Sequence, residues 1–156
     1  MEKLKTCCFT GHHTLPQDKI EQILIRLNQE VDNLISQGIT DFIVGGSLGF
    51  DQVAASLIVV KKEMGHNVRL IFVLPYRNQD ALWNAEQKRL YHGLLDEADE
   101  IIYISEEYID GCIQKRNRYV ADGSGYCICA PIYEAGETEQ MVKYAREMGV
   151  EIINIA

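Results

Sequence analysis

The chain has 156 residues, 47% apolar and 24% charged, the size and mix of one globular domain, 1–156, with a full hydrophobic core. Its net charge of -8 argues against a general nucleic-acid-binding surface, which needs basic character or a basic stripe, so nucleic acid is a disfavoured partner. No run approaches the roughly 18 apolar residues of a membrane span, and MEKLKTCCFTG at the start lacks the apolar stretch and cleavage site of a secretory signal, so a cytoplasmic protein with no membrane partner is expected.

Hydrophobic periodicity alternates between strand and helix along the chain. A first strand, Thr6–Gly11, is followed by a polar loop with Pro16. From Asp18, apolar residues at Ile20, Ile23, Leu24, Leu27, Val31, Leu34 and Ile35 fall on one face of a helix that Gly38 ends. A second strand spans Asp41–Gly46, and a second helix runs from Gly49 to about Met64, apolar nearly all round. Such a helix could serve the core or a homo-oligomer interface. Arg69–Pro75 is a continuous apolar strand, as expected when both sheet faces are covered. A third helix covers Asp80 to about Ala98, a fourth strand Glu100–Ser105, and a weaker helix Gly111 to Ala121. The last elements are a strand at Gly125–Tyr133, a helix at Glu137–Met148 and a sixth strand at Val150–Ile155. Six strands alternating with five helices predict a mainly parallel sheet with helices on both faces, a Rossmann-like three-layer α/β sandwich.

The five cysteines, Cys7, Cys8, Cys112, Cys127 and Cys129, are an odd number and lack the C-x2-C spacing of a zinc site. They read as buried free thiols in a reducing compartment. No metal ligand set stands out, and no pattern requires a cofactor.

In a doubly wound sheet, ligands bind beyond the carboxyl ends of the strands, so the residues following each strand are the candidates. Gly45-Gly46-Ser47-Leu48-Gly49 follows the second strand. Glycines let a backbone approach a ligand closely, and the next helix offers unpaired N–H groups with positive dipole character. A tight strand-to-helix turn explains the same glycines, and the pattern lacks both a full G-x-G-x-x-G and the Walker lysine. Asp51 suits either the helix dipole or a ribose hydroxyl. Thr10, Gly11 and His12 or His13 form a second candidate loop, where a histidine could meet a phosphate or move a proton near neutral pH. Arg77 would suit a phosphate, and Trp83 a stacked base or the core. Gln114–Tyr119 holds the basic cluster Lys115, Arg116 and Arg118; those side chains diverge on a helix, so at most one or two face the site and a solvated face explains the rest.

CCFTGHH, FIVGGSLGFD, LPY with its following Gln and Trp, GCIQKRNRYVAD and MVKYAREMG together resemble the YpsA-like branch of the SLOG superfamily, which also holds the DprA/Smf DNA-processing proteins and the LOG-type nucleoside-phosphate phosphoribohydrolases. The resemblance covers almost the whole chain. It implies a Rossmann-like fold and a strand-end pocket for a nucleotide or sugar-phosphate ligand. Residue by residue, it implies contacts from Thr10, Gly11 and His12, from Gly45, Gly46 and Gly49, and from Gly136 and Thr138 before the last helix. Two departures matter: His13 stands where the branch usually has arginine, and Glu137 where it usually has glycine, bringing negative charge to any phosphate bound there. The expected function is therefore binding of a nucleotide or nucleotide-derived ligand. One alternative is hydrolysis of a nucleoside monophosphate's N-glycosidic bond, with Glu134, Glu137 or Glu139 stabilising the transition state or positioning water. A second is a DprA-like association with DNA.

Overall fold

A computed structural model describes residues 2–131 and 136–156. A 3-10 turn at Lys3–Lys5 leads into strand β1 (Thr6–Gly11). Then follow α1 (Ile20–Ser36), β2 (Asp41–Val44), α2 (Phe50–Glu63), β3 (Arg69–Leu74), α3 (Ala85–Asp96), β4 (Glu100–Tyr103), α4 (Cys112–Asp122), β5 (Tyr126–Ala130), α5 (Glu137–Glu147) and β6 (Glu151–Asn154). All strand pairs are parallel and the sheet order is β4-β3-β2-β1-β5-β6. The fold is thus the Rossmann-like α/β sandwich that the periodicity predicts.

Alternation along the strands divides the core into two layers. Cys7, Phe9, Phe42, Val44, Leu70, Phe72 and Leu74 meet α1, α2 and α3 on one face. Cys8, Ile43, Ile71, Val73, Cys127 and Cys129 meet α4 and α5 on the other. The chain steps outward from β1 to β4, then returns to place β5 on the far side of β1. That reversal between β1 and β5 is the switch point, where the helices leave on opposite faces and a crevice opens.

Two local readings change in the folded chain. The third helix starts at Ala85 rather than Asp80, because Asn84 makes a capping box: its side chain accepts from the Gln87 N–H at 2.8 Å, and the Gln87 side chain accepts from the Asn84 N–H at 3.1 Å. Asp80 instead is buried and pairs with His92 Nε2 at 2.9 Å. The second helix is not buried all round: Phe50, Ala54, Ala55 and Ile58 form its buried stripe, while Val60 faces solvent. Lys61 on that buried side carries its ammonium to Asp32 at 2.7 Å. The fifth strand spans Tyr126–Ala130, and its expected end at Tyr133 lies outside the described residues. All five cysteines are buried free thiols.

Candidate functional site

A cavity of about 210 Å³ lies at the carboxyl ends of β1 and β2, beneath the first turns of α2 and α5. Phe9, Thr10, Gly11, His12 and His13 line it from β1 and its loop. Gly45, Ser47 and Asp51 line it from the β2–α2 connection. Arg116, Asn117 and Val120 come from α4, and Glu137, Thr138 and Met141 from α5.

Packing explains why the β2–α2 loop is glycine-rich. A Cβ on Gly45 would lie 2.5 Å from Arg116 Nη1 and 2.9 Å from Asp51 Oδ2, so the missing side chain is what lets a cation and a carboxylate flank this backbone. Gly49 takes φ +83 and would press a Cβ within 2.2 Å of the His13 carbonyl. Its closeness allows the Phe50 N–H to donate to His12 O at 3.1 Å, tying the two loops together.

Arg116 is the charged centre. It is 8% exposed, and its Nη1 donates to Gly45 O at 3.1 Å and to Val73 O at 3.4 Å. Nε donates to Asn117 Oδ1 at 2.9 Å. Gly45 O also accepts from Gln79 Nε2 at 3.2 Å, and Gln79 donates onward to Tyr91 Oη at 3.0 Å. The guanidinium is therefore clamped at the cavity wall before any ligand arrives. Burial lowers its pKa, opposed by the charges of Asp51 and Glu137. Asp51, 7% exposed, accepts from Ser47 Oγ at 2.8 Å. Burial raises its pKa, while Arg116 and then Ser47 pull it down. His12 is shifted down by burial and by the neighbouring His13.

The first turn of α5 completes the wall. Gly136 at its N-cap has φ +105 and no side-chain cap, and the buried Thr138 and the exposed Glu137 follow it. Helix N-termini carry unpaired N–H groups and partial positive charge.

Of the residues picked out in sequence, Thr10, Gly11, His12, Gly45, Ser47, Asp51, Arg116, Glu137 and Thr138 converge here. Gly46 and Gly49 shape the loop without lining the cavity; Gly46, at φ +75, is enclosed by Leu74, Gln79 and Tyr91. Gly136 caps α5 beside it. Arg77 lies elsewhere, exposed, ion-paired with Glu106 and stacked 4.2 Å over the Tyr103 ring. Trp83 packs edge-on against Tyr91 at 5.1 Å. Lys115 and Arg118 are exposed and Arg116 turns inward. Glu139 is exposed and does not line the cavity; Glu134 lies outside the described residues. Asn117 is not singled out in sequence, and Gln79 enters there only as part of the LPY motif of the resemblance, with no role assigned. Asn117 follows Arg116 within the basic cluster, but Gln79 reaches Gly45 only through the tertiary fold.

Among the described residues, no helix is long and apolar enough to cross a membrane.

A sequence profile described as the YspA SLOG family (YpsA) matches residues 9–153. The chain is 31% identical over 118 residues to the uncharacterized SPbeta prophage-derived protein YoqJ of Bacillus subtilis, a match covering 68% of this chain and 69% of YoqJ. It is 28% identical over 98 residues to UPF0398 protein BH1768 of Halalkalibacterium halodurans, covering 62% of this chain and 52% of that protein. Two solved structures share the fold. DNA processing protein A (DprA) of Streptococcus pneumoniae superposes with a TM-score of 0.69 at 16% identity, over 97% of this chain and 50% of that one. DprA of Helicobacter pylori superposes with a TM-score of 0.67 at 15% identity, over 98% of this chain and 65% of that one. The chain thus spans about half the length of BH1768 and of the pneumococcal structure.

The H. pylori protein binds single-stranded DNA, which corrects the expectation that net acidity disfavours a nucleic-acid partner. Net charge sums the whole surface, whereas single strands are held by a local groove and stacking side chains.

Proposed function

Because the chain belongs to the YspA SLOG family, we propose that it binds a nucleotide or nucleotide-derived ligand in the cavity beyond β1 and β2. The observation that carries this reading is the buried Arg116, clamped at the cavity wall beside the N-terminus of α5, whose N-cap is glycine. A guanidinium and the positive end of a helix dipole beside one polar hollow suit a phosphate. Ser47 and Asp51, on the β2 side, suit sugar hydroxyls. A volume of about 210 Å³ is below the roughly 300–1,000 Å³ of a site enclosing a whole drug-sized ligand, so the phosphate-sugar end enters and the base stays at the mouth.

The test is thermal unfolding with nucleoside monophosphates, dinucleotides and sugar phosphates. A ligand at 100-fold its Kd stabilises by about 2.7 kcal/mol, a rise of roughly 5–10 °C for a chain of this size. The rise should vanish in Arg116→Met, measured against that variant's own unliganded Tm, and persist in Arg118→Met. Stabilisation by no member of the panel, or an equal rise in Arg116→Met, counts against the proposal.

The likeness to the H. pylori DprA structure favours a second reading, single-stranded DNA as the ligand, with the exposed Lys115 and Arg118 of α4 contacting the backbone. Anisotropy of a labelled oligothymidylate tests it. Binding should weaken steeply between roughly 50 and 200 mM salt and weaken further in a Lys115→Glu, Arg118→Glu variant. Absence of binding at the lower salt rejects it.

A further inference from the structure

At the switch point β1 and β5 lie side by side, and their register sets Cys8 opposite Cys127. Both side chains point to the α4–α5 face, in one cluster with Cys129, Val120 and Met141; Cys7 points to the other face. Adjacent strands are about 4.8 Å apart, so Cα atoms paired this way fall within the roughly 4.4–6.8 Å that a disulfide spans.

From this juxtaposition we infer that Cys8 and Cys127 are a redox pair, which a peroxide closes into a disulfide beneath the cavity. The inference is independent of which ligand the cavity binds. Cys8 is the thiol that ionises: the neighbouring Cys127 thiol lowers its pKa by more than burial raises it, while the Cys8 neighbour and burial push Cys127 up. The thiolate is the nucleophile. It attacks one peroxide oxygen, the O–O bond breaks, and the other oxygen leaves as alcohol or water carrying the Cys8 proton. The sulfenic acid left on Cys8 is then attacked by the Cys127 sulfur. The S–O bond breaks, water leaves with the Cys127 proton, and the S–S bond forms. In sum, two thiols are oxidised and one peroxide is reduced.

Both thiols are fully buried, and the cavity supplies the approach. Val120 and Met141 form part of its wall and also pack around the thiols. Thr10, another lining residue, is the register partner of Cys129 and stands two positions beyond Cys8. A peroxide in the cavity is thus one layer of side chains from the pair.

The experiment treats the native chain with hydrogen peroxide, blocks remaining thiols with N-ethylmaleimide in denaturant, and maps tryptic peptides. Cleavage after Lys5, Lys19, Arg118 and Lys143 puts Cys8 in peptide 6–19 and Cys127 in peptide 119–143. The expected product joins these two peptides, reverts with dithiothreitol, persists in Cys7→Ala and Cys129→Ala, and disappears in Cys8→Ala. In Cys127→Ala the reaction should stop at a sulfenic acid on Cys8, captured by dimedone and formed more slowly than the wild-type link, because the neighbour that lowers the Cys8 pKa is gone. If the wild-type peptides stay unlinked and fully alkylated, or if the link survives Cys8→Ala, the inference is overturned. Should a variant fail to fold, fragmentation of the linked wild-type peptides decides which of Cys7 and Cys8 is joined to which of Cys127 and Cys129.

Discussion

Gly45→Ala isolates the clamp on Arg116. The φ of Gly45 lies outside the left-handed region, so alanine can adopt its backbone without strain, and the cost comes from the added methyl alone. That methyl would sit 2.5 Å from Arg116 Nη1 and 2.9 Å from Asp51 Oδ2, whereas ordinary contacts lie near 3.5 Å or beyond. The guanidinium must retreat by about 1 Å, which stretches its 3.1 Å bond to Gly45 O past hydrogen-bonding range. A bond to a charged group is worth about 1.5–3 kcal/mol. Gln79 still satisfies the Gly45 carbonyl, so the loss should stay near ~2 kcal/mol, a fall of roughly 4–8 °C in Tm. Urea or thermal unfolding measures it. A double-mutant cycle with Arg116→Met tests the cause: once the guanidinium is gone, Gly45→Ala should cost less than ~0.5–1 kcal/mol. Full additivity of the two substitutions would refute the clamp.

Three further outcomes follow from neighbouring features. Gly93→Ala should stabilise by about 0.5–1 kcal/mol, because Gly93 lies within α3 with no heavy atom within 4 Å of its absent Cβ; destabilisation in urea unfolding would point to an unrecognised constraint on that face. Asn84→Ala removes the capping box of α3 and should cost about 0.5–2 kcal/mol, read from the urea midpoint; an unchanged midpoint would show that this end of the helix is held by tertiary contacts alone. Asp51 has a raised pKa in the folded state, chiefly from burial. The native chain therefore holds its proton more tightly than the unfolded chain, and the associated stability is present at low pH and lost as pH rises through the folded pKa. Asp51→Asn should accordingly gain stability relative to wild type as pH rises from about 4 to 7, and a gap that moves the other way across urea titrations would rule this out.

The architecture could be read without coordinates, because the signals behind it are local. Apolar steps at Ile23, Leu27, Val31 and Leu34 dictate a helix with one buried face, and the unbroken run Leu70–Leu74 requires a strand covered on both sides. Glycine at the strand ends marked the loops nearest a ligand. Boundaries were legible only where a cap was unambiguous: Asp80 looked like a helix start until the Asn84–Gln87 box and the Asp80–His92 pair accounted for both residues.

Periodicity and composition suffice for an alternating α/β chain whose polar residues gather at the strand ends. What those residues do depends on how the strands are ordered in three dimensions. Arg116 stood in a basic cluster with nothing to separate it from Lys115 and Arg118. It faces inward because α4 crosses the sheet face at Val73 and Gly45, where carbonyls await its donors. Arg77 and Trp83 sit close in sequence to a strand end, yet β3 is two strands from β1 in the sheet, so they meet Glu106, Tyr103 and Tyr91 instead. Cys8 and Cys127 are 119 positions apart in the chain and become neighbours because the return crossover places β5 against β1. Strand order is the property that one-dimensional periodicity does not encode: each segment's pattern says which face it buries, while its neighbour is chosen by where the connecting helices can pack.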